Sequence, residues 1–354
     1  MNGVIVIDKP ARWTSHDVVN RMRRVLQQRS VGHLGTLDPL ATGVLPLVTG
    51  SLTRLAQFYI ASEKTYEGVI RFGFATNTYD ADGEALGEVS PATPGLDSLQ
   101  KLAAEFLGHI EQVPPPFSAK KIHGIPAYKL ARKEKPVILE PVQVEIKEFA
   151  ITSVEADGAH FHARVSSGTY MRSIAHEMGQ RLGCGAHLES LRRTSVAEFD
   201  ISQAHTLEEI EACNVQMLAT YHSEREVGNT PKPESELCHS ERLRANASAI
   251  LRIPTPVSLV DDHVTTLDSS ANADATEART VESLFVHPRQ LLPQLPSVTA
   301  DEATAARIRS GRPVNLPELS RARQVKVFFG QRDLLAIATR VAGTLFHPKI
   351  VFPL

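Results

Sequence analysis

The chain has 354 residues, of which 42% are hydrophobic and 22% charged, and its formal net charge is −2. These values are ordinary for a globular protein of roughly two domains, and they exclude an overall basic field, so any nucleic-acid site has to be a local patch. The three cysteines form no Cys-x-x-Cys pair, which argues against a disulfide framework or a zinc site and fits a reducing compartment. The first apolar run is too short for a signal peptide and no run of about 18 apolar residues occurs, so we expect a cytoplasmic protein without a membrane span.

The first part of the chain predicts strands and helices in an irregular order. "GVIVID" is typical of a short buried strand, and apolar spacing in "TSHDVVNRMRRVLQQ" predicts a helix capped by Thr14 or Ser15. "KTYEGVIRF" and "AHFHARVSS" alternate apolar and polar residues, as half-buried strands do. "LDSLQKLAAEFLG" predicts a helix ending at Gly108, and "YMRSIAHEMGQRLG" one ending near Gly183. Because no regular βαβ repeat occurs, we expect an α+β fold with a largely antiparallel sheet.

The composition changes after residue 213. Residues 214–280 are rich in Ser, Asn, Thr, Glu and Ala with little periodicity, which predicts a disordered low-complexity insertion. "TADEATAARIRSG" then predicts a helix with a capping box formed by Thr299 and Glu302, and "VKVFFG", "LLAIAT" and "KIVFPL" predict short strands. We therefore expect a large domain over residues 1–213 and a small β-rich domain over residues 281–354.

One carboxylate, Asp38, lies in the segment "GHLGTLDPLATGVLPL", residues 32–47, which otherwise consists of glycine, proline, threonine, aliphatic residues and His33. An Asp-Pro pair usually marks a plain turn, and "YDADGE" further along also predicts only a turn between strands. The aliphatic neighbours of Asp38 equally fit a carboxylate in a pocket, where it would need a cationic partner to stay ionised. The segment is not a phosphate-binding P-loop, because Val44 follows Gly43 where a lysine is required.

Two further segments carry positive charge. Arg172 falls in the first turn of the helix in "SSGTYMRSIAHEMGQRLG", where the helix dipole disfavours a cation, so it either has a specific anionic partner or is a solvated surface arginine. The tract from Phe117 to Lys135 has six basic residues and one acidic residue with aromatic residues between them, which fits either an RNA-binding element or a basic surface helix. Arg192 and Arg193 in "LRRT" add local positive charge.

Together these segments resemble the TruB family of tRNA pseudouridine synthases. "GHLGTLDPLATGVLPL" is similar to the family's catalytic-aspartate motif, and "EKTYEGVIRFGFATNTYDADGE" to the stretch with its active-site tyrosine. "QVPPPFSAKKIHGIPAYKLAR" resembles its RNA-contacting segment, and "SSGTYMRSIAHEMGQRLGCGAHLESLRRT" its arginine motif. The resemblance implies an α+β catalytic domain of pseudouridine-synthase fold, with a mixed, largely antiparallel sheet and a central RNA cleft, followed by a small β-rich PUA-like C-terminal domain.

The resemblance also implies the reaction and its residues. It implies isomerisation of uridine 55 in the T-arm of tRNA, with Asp38 as nucleophile, Arg172 as its ion-pair partner and Tyr66 as the aromatic residue beside the target base. Tyr170 would line the pocket and Leu191 would pack against the base. The remaining residues expected to bind RNA are His33, Lys120, Lys121, Tyr128 and Arg132.

The chemistry limits what the site must contain. Pseudouridine has the same atoms as uridine, so no redox cofactor, nucleotide or metal is expected. One ionised carboxylate is needed, a second would work against it, and attack at C1′, attack at C6 and deprotonation of the sugar remain alternatives for Asp38. We expect a monomer that acts on tRNA without an obligate protein partner or guide RNA. The alternatives are an RNA-folding chaperone, which would not need Asp38, and a guide-dependent rRNA pseudouridine synthase.

Overall fold

The structure, a computed structural model, describes residues 1–90, 94–118, 120–122, 124–131, 133, 139–213, 280–318 and 321–353. Residues 214–279 lie outside the described residues, so the predicted disorder there stays a prediction. Met1–Ala212 and Val281–Leu354 form one compact unit. The α-helices with both ends described are α1 (Ser15–Val25), α2 (Ala56–Tyr59), α3 (Leu96–Ala104), α4 (Ala127–Ala131), α5 (Met171–Arg181) and α6 (Glu302–Arg309), and residues 207–213 are also helical. None of them is long and apolar enough to span a bilayer.

Nine described strands form the large sheet. They are β1 (Gly3–Lys9), β2 (Val31–His33), β3 (Thr42–Thr49), β4 (Lys64–Phe72), β7 (Gly108–Gln112), β10 (Val142–Glu155), β11 (Gly158–Val165), β12 (Ala186–Val196) and β13 (Phe199–Asp200). Their order is β1-β3-β12-β4-β11-β10-β7, with β2 paired to β3 and β13 to β12. Among the described pairs of this sheet only β3 and β12 run parallel, which confirms the mixed, largely antiparallel sheet. Two small hairpins, β5–β6 (Ala75–Thr76, Ala85–Leu86) and β8–β9 (Lys121–Ile122, Ile125–Pro126), lie outside it.

Local sequence signals explain most element boundaries. Thr14 caps α1, since its Oγ1 accepts the N–H of Asp17 and the Asp17 carboxylate accepts the N–H of Thr14. The prediction that the next long helix ends at Gly108 is wrong, because α3 ends at Ala104. Phe106 is instead buried in the core beyond the helix end, and Gly108, at φ +89°, begins strand β7.

Helices α3 and α5 pack on the large sheet and bury its main core. This core combines Leu99 of α3 and Ile174 and Met178 of α5 with Ile70 and Phe161 of the sheet. Each of these five side chains is at most 2% exposed. Burial of apolar area stabilises this layer by about 25 cal/mol per Å², and the packing of α5 on the sheet fixes the start of α5 relative to the neighbouring strands.

Five described strands form the C-terminal sheet and confirm the expected β-rich domain. They are β14 (Ser297–Ala300), β15 (Val314–Asn315), β16 (Gln324–Phe329), β17 (Asp333–Ala342) and β18 (Leu345–Val351), in the order β14-β16-β17-β18-β15. The predicted capping box of Thr299 and Glu302 is wrong. Thr299 lies within β14, and Asp301 caps α6 by accepting the N–H of Thr304 at 2.8 Å.

The C-terminal sheet shares a second core with the large sheet. Tyr59 and Phe199 pack with Leu291, Leu292 and Phe328 in this cluster. Tyr59 donates its hydroxyl hydrogen bond to Glu198 Oε1 at 2.5 Å, and the N–H of Leu292 donates to the same oxygen at 2.8 Å. The C-terminal segment is therefore anchored to the large domain by polar and apolar contacts together.

Candidate active site

A cavity of about 380 Å³ opens beside the parallel strand pair, a volume within the usual range for small-ligand sites. The sequence-predicted site residues that line it are Asp38, Tyr66, Arg172, His33, Tyr170 and Leu191. They come from the end of β2, the β2–β3 connection, β4, the start of α5 and β12, so distant segments converge here. Among the described lining residues Asp38 is the only carboxylate.

Asp38 lies in the aspartate loop, residues 34–41, which connects β2 to β3. The loop backbone is fixed on both sides of Asp38. Leu37 donates its N–H to Ser15 Oγ at 2.8 Å and accepts from the same hydroxyl at 3.0 Å, while Pro39 O accepts from the N–H of Arg12 at 2.8 Å and from Lys9 Nζ at 3.3 Å. The Asp38 side chain is 36% exposed, so a held backbone presents a carboxylate that an incoming molecule can reach.

Arg172 is the cationic partner of Asp38. Gly168, at φ +87°, makes the turn before α5 and so places Arg172 in the first turn with its side chain only 5% exposed. Its Nε lies 2.9 Å from Asp38 Oδ2, but the N–H is not directed at that oxygen, so the contact is an ion pair rather than a hydrogen bond. Nη1 donates to Thr78 O and Nη2 to Phe117 O, each at 3.1 Å, which fixes the guanidinium plane.

A second carboxylate, Asp80, contacts the same guanidinium. Its Oδ2 lies 3.4 Å from Arg172 Nη1, its side chain is 8% exposed, and Thr78 donates to its Oδ1 at 2.5 Å. Burial raises the pKa of Asp80, while the hydrogen bond from Thr78 and the charge of Arg172 oppose the rise. Sequence reasoning placed Asp80 only in a turn between strands, and it does follow β5, but the contact with Arg172 was missed because no local signal reports it.

Tyr66 and Tyr170 both line the cavity. Tyr66 on β4 is 7% exposed. Tyr170 occupies the N-cap position of α5 without a side-chain capping hydrogen bond. Its backbone is held by Gln112, whose Oε1 accepts the Tyr170 N–H at 2.8 Å and whose Nε2 donates to Tyr170 O at 3.1 Å. Burial, together with the nearby charge of Asp38, raises the pKa of the Tyr170 phenol, so this hydroxyl stays protonated at neutral pH.

Besides Arg172, two basic side chains, His33 and Lys64, are among the described residues that line the cavity. His33 Nδ1 accepts the N–H of Gly35 at 3.3 Å, and burial, followed by the charge of Arg193, lowers its pKa, which favours the neutral ring. Lys64, which sequence reasoning missed, is 9% exposed and donates from Nζ to Ser62 O at 2.6 Å. Burial lowers the pKa of Lys64 to about 8. The sequence did contain a signal for Lys64. It precedes Tyr66 by two residues on a predicted strand, so both side chains lie on the same face of the sheet.

Of the predicted RNA-binding residues of the basic tract, only Lys120 has a described side chain, and it does not line this cavity. Lys120 donates from Nζ to Glu140 O at 3.1 Å. Only the backbone of Lys121 and Tyr128 is described, in β8 and α4, and Arg132 lies outside the described residues. Their roles stay predictions. Within the described part of the chain, no group of three or more His, Cys, Asp or Glu side chains could hold a metal ion.

Solved structures with this fold include a Cbf5–Nop10–Gar1 complex, matched with a TM-score of 0.59 and 22% identity over 99% of this chain and 85% of the other. An archaeal box H/ACA Nop10–Cbf5 complex matches with a TM-score of 0.56 and 20% identity over 99% of this chain and 86% of the other. At this identity the likeness concerns the fold alone. With the cavity and its residues, it defines the class, a pseudouridine-synthase fold with a β-rich C-terminal domain.

The sequence relatives identify the family. Residues 23–171 match the family model of the TruB family pseudouridylate synthase N-terminal domain, and residues 172–227 match that of the tRNA pseudouridylate synthase B C-terminal domain. A tRNA pseudouridine synthase B of Solibacter usitatus is 41% identical over 99% of this chain and 100% of the relative, and one of Opitutus terrae is 45% identical over 60% and 88%. The chain belongs to the TruB family of pseudouridylate synthases.

Proposed function

We propose that the protein isomerises uridine 55 in the T-arm of tRNA to pseudouridine, with Asp38 as the nucleophile. The observation that carries this proposal is the ion pair of Arg172 with the reachable carboxylate of Asp38 in a cavity sized for a nucleotide base. The names of the relatives support tRNA as the substrate class. The T-arm position rests on the resemblance of the motifs around Asp38 and Arg172.

The reaction rearranges bonds without a change in composition. The N1–C1′ bond breaks, the base turns, a C5–C1′ bond forms, and the proton on C5 leaves for a base while N1 gains a proton. Attack on C1′, addition to C6 and removal of a sugar proton share one requirement, an ionised carboxylate beside the nucleotide. Asp38 supplies that carboxylate, and Arg172 keeps a positive charge next to it when RNA excludes water from the cavity.

The other lining residues hold the base. Tyr66 offers an aromatic face and a phenolic oxygen to the uracil, and Leu191 packs against it. Tyr170, kept protonated, offers a hydrogen-bond donor near Asp38. His33, with its pKa lowered, presents a neutral ring on which a neighbouring base can stack.

The target nucleotide has to leave its loop before it reaches Asp38. Extrusion of a base costs a few kcal/mol, and contacts to the rest of the RNA have to offset that cost. Lys64 at the cavity and the basic tract that contains Lys120, Lys121, Tyr128 and Arg132 supply positive charge and aromatic surface for this purpose. The proposal includes a cytoplasmic monomer that acts without an obligate protein partner or guide RNA.

The decisive experiment is incubation of purified protein with an unmodified T-arm stem-loop RNA, followed by mapping of pseudouridine. We expect conversion at position 55 without any other protein or RNA, and none when that uridine is replaced by cytidine. Activity only after addition of a guide RNA would instead support a guide-dependent synthase. Accelerated RNA folding without conversion would support the chaperone alternative.

A further inference from the structure

Arg193 does not supply surface charge for RNA. Its side chain is among the largest that are fully buried, at 0% exposed. Its neighbour Arg192 points to the opposite face of β12, pairs with Asp8 at 2.7 Å, and has a side chain 42% exposed. Because side chains alternate along a strand, Arg193 shares the cavity face with Leu191. Tyr66 lies directly across from Arg193 in the β4–β12 pairing.

The guanidinium of Arg193 is hydrogen-bonded to two backbone carbonyls near the start of the aspartate loop and to one on β3, just beyond its end. Nη2 donates to Gly35 O and Nη1 to Thr36 O, each at 3.1 Å, and Nε donates to Val44 O at 2.8 Å. Gly35 and Thr36 precede Asp38, while Val44 follows the loop on β3. Among the described residues no carboxylate forms an ion pair with Arg193, so its buried charge is balanced by carbonyl dipoles of the aspartate loop and of β3.

The backbone of Arg193 also requires a glycine on the opposite strand. Gly43 pairs with Arg193 across the parallel β3–β12 contact and has φ +99°. A Cβ at residue 43 would lie 2.3 Å from Arg193 O, too close for any side chain. The strand that ends the aspartate loop therefore approaches Arg193 as closely as a backbone can, which brings the Val44 carbonyl within reach of Nε.

We propose that Arg193 is the positioning residue of the catalytic aspartate, holding the two ends of the aspartate loop together so that Asp38 faces Arg172 and the base. This inference rests on the proposed role of Asp38. Three donors in one rigid plane serve three carbonyls at once, which a lysine ammonium on a flexible stem cannot reproduce. A misplacement of about 1 Å in a reacting group is enough to slow a reaction about 100-fold, so a looser loop affects turnover before it affects RNA binding.

The test compares Arg193→Lys with Arg192→Lys, a matched change on the solvent face of the same strand. We expect Arg193→Lys to lower kcat on T-arm RNA between about 10- and 100-fold while KM changes less than about threefold, and Arg192→Lys to keep kcat within about twofold. Hydrogen exchange of residues 34–41 without RNA should accelerate in Arg193→Lys, while exchange in α3 and α5 stays unchanged.

Other results would overturn the inference. An unchanged kcat for Arg193→Lys would show that a positive charge alone, without the three guanidinium donors, is enough to position Asp38. A lower kcat without faster exchange in the aspartate loop would show that Arg193 acts elsewhere. If Arg193→Lys and Arg193→Gln both fail to fold, the residue belongs to the stability of the whole domain and not to the loop. The hydrogen-exchange measurement needs no substrate. If the wild-type protein were inactive on tRNA, the proposed function would be refuted, but the exchange measurement would still test whether Arg193 holds the aspartate loop.

Discussion

The Nη1 atom of Arg172 lies 3.4 Å from Oδ2 of Asp80, while Nε of the same guanidinium lies 2.9 Å from Oδ2 of Asp38. The buried guanidinium of Arg172 therefore contacts two carboxylates, the buried one of Asp80 and the solvent-accessible one of Asp38. Asp80 and the carbonyls of Thr78 and Phe117 hold the guanidinium where it meets Asp38. The arrangement leaves Asp38 as the one carboxylate among the described residues that line the cavity, although Asp80 lies nearby.

Asp80→Asn should lower activity and change the pH dependence of stability in a defined direction. The folded-state pKa of Asp80 is raised, so its contribution to stability is full below the unfolded pKa and is lost as pH rises through the folded value. Compared with wild type, Asp80→Asn should therefore gain in relative free energy of unfolding as pH rises above the unfolded pKa of about 4. Denaturant unfolding at several pH values measures this difference. If the free energies of unfolding of wild type and Asp80→Asn changed with pH in parallel, the prediction would be contradicted.

In activity assays, Asp80→Asn should reduce kcat at neutral pH, because Asn keeps the shape but not the charge that anchors Arg172. The exposed Asp82, two residues further in the same turn, provides the control. Asp82→Asn should keep kcat within about twofold, since surface changes away from the site rarely exceed 0.5 kcal/mol.

Arg172→Ala should cost more in rate than in stability. Asp80 can take up a proton because its pKa is already raised, and Asp38 reaches solvent, so neither is left as a fully buried unpaired charge. Loss of a preorganised charge at a reacting centre costs about 100- to 1000-fold in kcat. Single-turnover kinetics and thermal unfolding of the same variant give the two numbers. A full-activity Arg172→Ala protein would make Arg172 a structural residue only.

Asp38→Asn should abolish pseudouridine formation, with residual turnover below about a thousandth of wild type, because an amide is neither an effective nucleophile nor a base. RNA binding, measured by filter retention, should stay within about tenfold, since the loop backbone is held by Ser15, Arg12 and Lys9 and not by the carboxylate. Retained turnover would remove Asp38 from the reaction. A chaperone, by contrast, would keep its function in this variant.

Sequence patterns predicted most of the fold because burial is periodic. Alternation in "KTYEGVIRF" and the capping signal at Thr14 are local, and both elements occur as predicted. The aliphatic neighbours of Asp38 similarly indicated a pocket. The contact of Asp80 with Arg172 depends on the β5–β6 hairpin meeting the start of α5, which no local pattern reports. In "LRRT" the alternation of side chains places Arg192 and Arg193 on opposite faces of the strand. The sequence does not show which of these faces is buried, because that depends on β3 and β4, which lie on either side of β12.

As pH rises through the pKa of Lys64, we expect the free energy of unfolding to increase and RNA binding to weaken. Burial lowers its folded pKa to about 8, so stability rises as pH increases from about 8 towards the unfolded value near 10.5. Over the same range the cavity loses positive charge, so KM for RNA should rise. Lys64→Met should already have the raised KM at pH 7 and change less up to pH 9. The exposed Lys101→Met is the control, and an identical KM profile for wild type and Lys64→Met would exclude Lys64 from RNA binding.

Glu198→Ala should lower both stability and activity, because Glu198 anchors the C-terminal segment beside the cavity. Glu198 Oε1 accepts from the Tyr59 hydroxyl and the Leu292 N–H, and Tyr59 lines the cavity on the other side of this contact. Removal of the acceptor leaves the Tyr59 hydroxyl hydrogen without a partner, at a cost of about 1–3 kcal/mol, while the Leu292 N–H keeps its hydrogen bond to the Tyr59 hydroxyl oxygen at 3.2 Å. The loss also frees the cavity wall to shift. We expect a lower melting temperature and a lower kcat/KM on T-arm RNA. Glu198→Gln keeps an acceptor oxygen and should recover most of both, whereas equal losses in the two variants would mean that the negative charge, and not the hydrogen bonds, holds the C-terminal segment in place.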